Sequence, residues 1–287
     1  MSALILLLAT FIWGTAFLAQ KFGSESLGPF AMTCFRNLLG GAFLLAVVSV
    51  RGWRSREDAF AALRAGVFCG VPLFLAMVAQ QIGIAHTTPG VSAFLTTNYM
   101  FIIPVFCLIL YRKLPPWPVA VGVVAALAGT YLICMANERM SVGPGEFWTL
   151  LCAFFFAVQM MVVDRYAKSC DVLTMSMTQL FTCAVLAVPF LFIGSESARL
   201  SFATLFAPRT GLSVVYLGVF SSGIAYTLQN FAQARTSPAV AGVVLSTESV
   251  FGALSGYVVL GDRMTVGQFV GCALVFGAAL IASARRT

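Results

Sequence analysis

Charge is what this sequence has least of. Only 9% of its 287 residues are Asp, Glu, Lys or Arg, against a hydrophobic share of 60%. A soluble globular domain carries about a quarter charged residues, so the composition excludes one. Histidine occurs once, at His86. With one imidazole and no clustered loop acids, the chain offers no His/Asp/Ser constellation, no Walker loop and no dinucleotide fingerprint. The eight cysteines form no CxxC and fall mostly inside apolar runs. They read as small buried hydrophobes, neither metal ligands nor a disulfide framework. No metal and no cofactor is expected. The net charge of +7 is scattered between apolar runs. That distribution gives no nucleic-acid footprint and fits the positive-inside bias of a membrane protein.

What the sequence has is apolar length. Ten runs can be counted, at 3–20, 29–50, 64–85, 88–110, 117–135, 145–163, 173–194, 211–233, 238–260 and 265–284. Each suits a tilted transmembrane helix, and Gly28-Pro29, Leu114-Pro115-Pro116 and Gly143-Pro144-Gly145 separate several of them. The first run lacks a basic leader and many more follow, so a retained helix is expected and not a cleaved signal. The expected class is an all-α membrane protein in contact with the lipid bilayer. Loops on the amino-terminal side hold eleven basic residues: Arg51, Arg54, Arg56, Arg64, Arg112, Lys113, Arg165, Lys168, Arg235, Arg285 and Arg286. The opposite side holds five: Lys21, Arg139, Arg199, Arg209 and Arg263. This asymmetry predicts that both termini are cytoplasmic.

The two halves repeat. Gln80-Gln81-Ile82-Gly83 through Thr87-Thr88-Pro89 aligns with Gln229-Asn230-Phe231-Ala232 through Thr236-Ser237-Pro238 at an offset of 149. The same shift carries Gly122 onto Gly271 and sets Asn98-Tyr99 opposite Thr247-Glu248. The repeats are expected over 3–136 and 144–284. Five spans per repeat is an odd number, so the second copy is predicted to enter the membrane upside down, a 5+5 inverted repeat with a binding site between the halves. Glu248 lies near the middle of the ninth run. A carboxylate at that depth is expensive unless it faces a bundle interior or a wet cavity.

Trp13-Gly14, Gln80-Gln81-Ile82-Gly83, Thr87-Thr88-Pro89-Gly90, Phe94-Leu95-Thr96 followed by Pro104, and Leu245-Ser246-Thr247-Glu248-Ser249-Val250-Phe251 followed by Leu260-Gly261-Asp262-Arg263 together resemble the EamA family of the drug/metabolite transporter superfamily. The resemblance covers the whole chain. It implies a bacterial inner-membrane exporter of small metabolites, with a central cavity lined by spans one, three, four, six, eight and nine. The family often carries Glu-Pro where this chain has Glu248-Ser249, which leaves open whether the ninth helix kinks.

On span eight, Tyr226, Gln229, Asn230 and Gln233 share one helical face. Span three repeats it with Met77, Gln80 and Gln81, span one aligns Trp13, Phe17 and Gln20, span four offers Asn98 and span six Gln159. Amides in hydrocarbon must face protein or water, as interhelical glue or as a solute site. Lying on the spans that the resemblance names, Trp13, Gln20, Gln80, Asn98, Gln159, Tyr226, Gln229 and Glu248 are the expected solute-binding set. Tyr99 is a second aromatic candidate that could instead face lipid. Glu248 has two readings, a proton carrier or a permanently paired structural residue. Arg36, inside span two, could pair with it, snorkel, or attract an anionic solute group. His86 reads as a loop residue. Gly66xxxGly70, Gly252xxxGly256 and Gly267xxxGly271 allow close helix approach, within a monomer or, on spans nine and ten, in a homodimer. The expected function is proton-coupled export by alternating access, and the family resemblance implies amino acids or related amphipathic compounds as the solute. A membrane-embedded enzyme would need a second acid or nucleophile at Glu248's depth, and a membrane sensor would need a soluble domain.

Overall fold

The computed structural model describes residues 1–112, 114–134, 143–193, 201–260 and 264–283. Lys113, Arg139, Arg199, Arg285, Arg286 and the Gly261-Asp262-Arg263 motif lie outside the described residues, as do the outer ends of several expected spans. Ten helices are long and apolar enough to cross a membrane: α1 Ser2–Ser24, α2 Pro29–Arg51, α3 Arg56–His86, α4 Gly90–Tyr111, α5 Trp117–Cys134, α6 Pro144–Tyr166, α7 Val172–Phe192, α8 Pro208–Gln233, α9 Pro238–Val259 and α10 Val266–Ser283. No strand occurs among the described residues. Leu4, Phe11, Phe101, Val124 and Leu280 are all more than half exposed. An apolar exterior of this kind suits acyl chains, with the backbone's polar groups satisfied inside the helices.

The boundaries follow local chemistry. Prolines open α2 and α6, where a missing N–H leaves no orphan donor. Thr88 and Ser237 precede prolines at equivalent places, and each hydroxyl caps the third residue beyond it. The third helix starts eight residues before the expected span. Ser55 caps it, accepting from Asp58 N at 3.2 Å, and Glu57 and Asp58 complement the dipole of its first turn. At 31 residues it is about 46 Å long, well beyond the hydrocarbon core.

Two helices are interrupted. α4 breaks at Thr97-Asn98 and α9 at Ser246-Thr247, where backbone bonds tighten to three-residue spacing, as in Met100 N to Thr97 O and Ser249 N to Ser246 O. Hydroxyls compete for the freed carbonyls: Thr97 bonds Phe94 O at 2.8 Å, Ser246 bonds Val243 O at 2.7 Å and Ser249 bonds Ser246 O at 2.8 Å. The ninth helix therefore interrupts without the family's proline. In α8, Tyr216–Ala225 forms a π-helix, a widened turn that leaves backbone groups open to outside partners.

Packing has a pattern. α3 packs on α6 and α7, α2 on α7 and α8, α1 on α8 and α9, α4 on α6, and α5 on α10. Adding five to each number, with ten followed by one, turns α3–α6 into α8–α1, α3–α7 into α8–α2 and α4–α6 into α9–α1. α2–α7 and α5–α10 map onto themselves. The α5–α10 seam is backbone against backbone: a Cβ on Gly129 would lie 2.7 Å from Gly271 O, and one on Gly271 2.6 Å from Gly129 O. Gly66 and Gly70 meet Thr178 and Thr182 of α7 within the same chain. Gly252 lies 3.6 Å from Gly14 O by the same measure. Most of the expected small-residue contacts are thus used inside the monomer.

Candidate solute-binding site

The interrupted helices and α8 surround a central cavity. Its wall takes Trp13, Phe17 and Gln20 from α1, Arg36 from α2, Gln80 from α3, and Thr96 and Tyr99 from either side of the α4 break. Phe156, Gln159 and Met160 come from α6, Ser221, Tyr226 and Gln229 from α8, and Leu245 and Glu248 from α9. Of the expected set, the structure brings together Trp13, Gln20, Gln80, Gln159, Tyr226, Gln229 and Glu248. The space open to the centre of a water molecule is only about 30 Å³, enough for a water or two and too small for a metabolite. The cavity is contracted.

Glu248 is the eleventh of the 22 residues of α9 and is 4% exposed. Its Oε1 accepts from the Tyr99 hydroxyl at 3.2 Å. The two residues are 149 apart, the same offset that aligns the repeated sequence motifs. Tyr99, 4% exposed, faces this acid and not lipid. Gly14 brings α1 against the same turn: a Cβ there would lie 2.5 Å from Phe251 Cβ and 2.8 Å from Glu248 O.

Beside Gly14, Trp13 lies against Tyr226 with ring centroids 4.7 Å apart and donates from Nε1 to Ser221 O at 3.1 Å. That carbonyl belongs to the π-helix. The same segment receives Arg36, whose Nε donates to Ser222 Oγ at 3.0 Å and Nη2 to Ser221 Oγ at 2.8 Å. Among the described residues four ion pairs form, and none includes Arg36 or Glu248. The suggested direct pair between them is therefore not made here.

Amides fill the remaining wall. Gln229 Nε2 donates to Gln159 Oε1 at 3.3 Å and Gln233 Oε1 at 2.8 Å, and Gln80 Nε2 reaches Thr96 Oγ1 at 3.4 Å. Gln20 Oε1, Gln159 Nε2 and Gln229 Oε1 are buried with no hydrogen-bond partner among the described residues. Unmet buried amide groups are costly, and a solute could supply what they lack.

Asn98 is the exception. It is outside the cavity wall, and its Nδ2 turns back to Phe94 O at 3.0 Å and Leu95 O at 3.1 Å. The interruption diverts it, because a side chain at a broken turn finds free carbonyls within its own helix. Asn230 and Gln233 also serve structure, bonding Ser176 and Gln179 of α7 and Met160 O of α6. Sequence reasoning missed Thr96, Phe156, Met160, Ser221 and Leu245. Of these, Thr96 and Leu245 lie in the motifs that carry the family resemblance, Ser221 is half of a Ser-Ser pair beside glycine in an apolar run, and Phe156 and Met160 carry no signal.

At the ends of the helices the chain is latched. Asp171 caps α7 through Thr174 N at 3.1 Å and takes both Arg51 terminal nitrogens, at 2.9 and 2.7 Å. Burial alone would raise its pKa, but Arg51 and Thr174 outweigh burial and hold it near 2. On the other side, Lys21 donates to Ile84 O at 3.0 Å and Thr87 O at 3.1 Å, while Thr87 donates to Glu146 at 2.8 Å.

The family profile of the EamA-like transporters matches residues 1–135 and again 143–284. The chain belongs to the EamA-like transporter family. It is 30% identical over 292 residues to YwfM of Bacillus subtilis, named an uncharacterized transporter, covering 98% of this chain and 93% of that one. An uncharacterized transporter of Archaeoglobus fulgidus is 26% identical over 280 residues, covering 98% and 85%. A solved crystal structure shares the fold with a TM-score of 0.80 at 22% identity, covering 99% of this chain and 96% of the other. The EamA-like chain is a multi-pass membrane protein with transporter relatives.

Proposed function

We propose that the protein is a secondary active exporter of small metabolites, amino acids or related amphipathic compounds among them, working by alternating access in the bacterial inner membrane with both termini in the cytoplasm. What carries this reading is the convergence of a buried carboxylate, a buried guanidinium, a tilted aromatic pair and unsatisfied amides on one cavity halfway along the spans. Structural glue would need none of these groups to face a shared space. Two inverted five-helix repeats, 3–136 and 144–284, give the motion. The exchange of packing partners under a shift of five supports that arrangement, as does the Tyr99–Glu248 bond between equivalent positions. The breaks at Thr97-Asn98 and Ser246-Thr247 are the points at which α4 and α9 bend to open the contracted cavity.

Glu248 couples export to inward proton movement, exchanging its proton as the cavity opens to each side in turn. In inverted vesicles, uptake by wild type should depend on pH, and Glu248→Gln should remove that dependence. An unchanged pH profile in Glu248→Gln would overturn the coupling. The solute is found by screening cells that overproduce the protein for resistance to toxic metabolites and analogues. Protection against one compound class that disappears in Gln229→Ala supports export through this cavity. Protection that survives both Gln229→Ala and Glu248→Ala would refute it.

A further inference from the structure

Among the described residues, Arg36 is the one charged group in the cavity wall besides Glu248. It is 3% exposed, yet its partners are two neutral hydroxyls, Ser221 Oγ and Ser222 Oγ. A guanidinium carries five N–H donors, and two are engaged here. A buried cation without a counter-ion costs several kcal/mol. Glu248 does not offset that cost by contact, since its Oε1 accepts from Tyr99 and no ion pair joins it to Arg36.

The surroundings are built to hold the guanidinium still. Trp13 Nε1 fixes the Ser221 carbonyl at 3.1 Å. The widened π-turn sets both serine hydroxyls on Arg36 at once. The Ser221 hydroxyl, which is in the cavity wall, donates to no other protein group among the described residues, so its proton is free to turn toward an incoming acceptor. One hydroxyl of the cavity wall, Ser221, and at least one guanidinium nitrogen, Nη1, thus stand ready for an anion, while the fully buried Ser222 lies behind the wall and holds Nε.

We infer that Arg36 and Ser221, with Ser222 holding the guanidinium from behind, form an anion subsite, so that the solute of this cavity carries a small oxyanion of the carboxylate class. A planar carboxylate matches the guanidinium fork, and its charge supplies the missing counter-ion. The less polar remainder lies along the tilted Trp13–Tyr226 pair. This assignment rests on the cavity being a solute site and adds which part of the solute binds where.

The test uses the full-length protein in lipid nanodiscs. Thermal unfolding is followed during titration with sodium acetate, butyrate, hexanoate and phenylacetate, each against its own neutral amide, at constant sodium and chloride. At least one carboxylate should bind roughly ten- to hundredfold tighter than its amide, the range of a charge-assisted hydrogen bond. Arg36→Gln should abolish that preference while retaining the amide's affinity, and Arg36→Lys should restore part of it. If Arg36→Gln does not fold, the Ser221→Ala/Ser222→Ala double variant decides, with the preference reduced and amide binding kept. The subsite is refuted if no carboxylate outperforms its amide in wild type, or if the preference survives in the deciding variant. Either result would leave export itself standing, because the resistance screen judges that separately.

Discussion

Replacing Gly14 by alanine adds one methyl carbon and separates two effects of opposite sign. In a helix interior alanine is favoured over glycine by about 0.5–1 kcal/mol. At Gly14, however, the new carbon would lie 2.5 Å from Phe251 Cβ, 2.7 Å from Gly252 N and 2.8 Å from Glu248 O. Two of these atoms are backbone, and the third is fixed to it. Relief therefore requires α1 and α9 to separate by about 1 Å, toward ordinary carbon contact distances. Overpacking of this kind typically costs about 1–3 kcal/mol, so the clash outweighs the propensity gain. The same substitution at Gly277, where nothing lies within 4 Å, has only the gain. Gly14→Ala should melt below wild type in detergent or nanodiscs and lose transport, because the displaced turn carries Glu248. Gly277→Ala should melt at or above wild type and keep activity. If the two variants have equal melting temperatures and both transport, α1 does not position Glu248 in the way described.

Asp171→Asn removes the paired contact to Arg51 and weakens the α7 cap, worth about 1 kcal/mol for a cap of this kind. Because its folded pKa is held near 2, below the usual 3.8, Asp171 contributes stability that is full above about pH 4 and is lost as pH falls toward 2. The wild-type melting temperature should lose that increment over this window, whereas the Asp171→Asn melting curve should lack it; parallel curves would refute the assignment. Asn98→Ala should cost about 1 kcal/mol by removing hydrogen bonds to Phe94 and Leu95 carbonyls while export continues. Gln229→Ala, measured in the same resistance assay, should abolish export.

Hydropathy alone makes the ten spans legible, since each is a long apolar stretch bounded by proline, glycine or charge. The start of α3 is hidden because Arg56-Glu57-Asp58 lies beyond the hydrocarbon, where a helix carries no hydropathy signal. The site is legible where helices are regular. Tyr226 and Gln229, three apart on the α-helical end of α8, do line one wall, as Trp13, Phe17 and Gln20 do on α1. Periodicity fails where the turn changes. Asn98 and Tyr99 follow the tightened turn of α4, so an ideal helical wheel assigns both to the wrong face. Ser221 and Ser222 sit in the π-helix of α8, whose wider turn advances each residue by a smaller angle than the 100° per residue used to read faces.

The seam between Gly129 and Gly271 limits how this molecule can move. Two helices whose main chains touch at one point, wedged on either side by Leu132, Ile133, Leu274 and Val275, behave as one rigid axle. The movement that the proposed alternating access needs must turn about that axle or bend elsewhere. Enlarging either glycine would wedge the axle apart while leaving every group that meets the cargo unaltered, so a transporter jammed there should still bind what it can no longer carry.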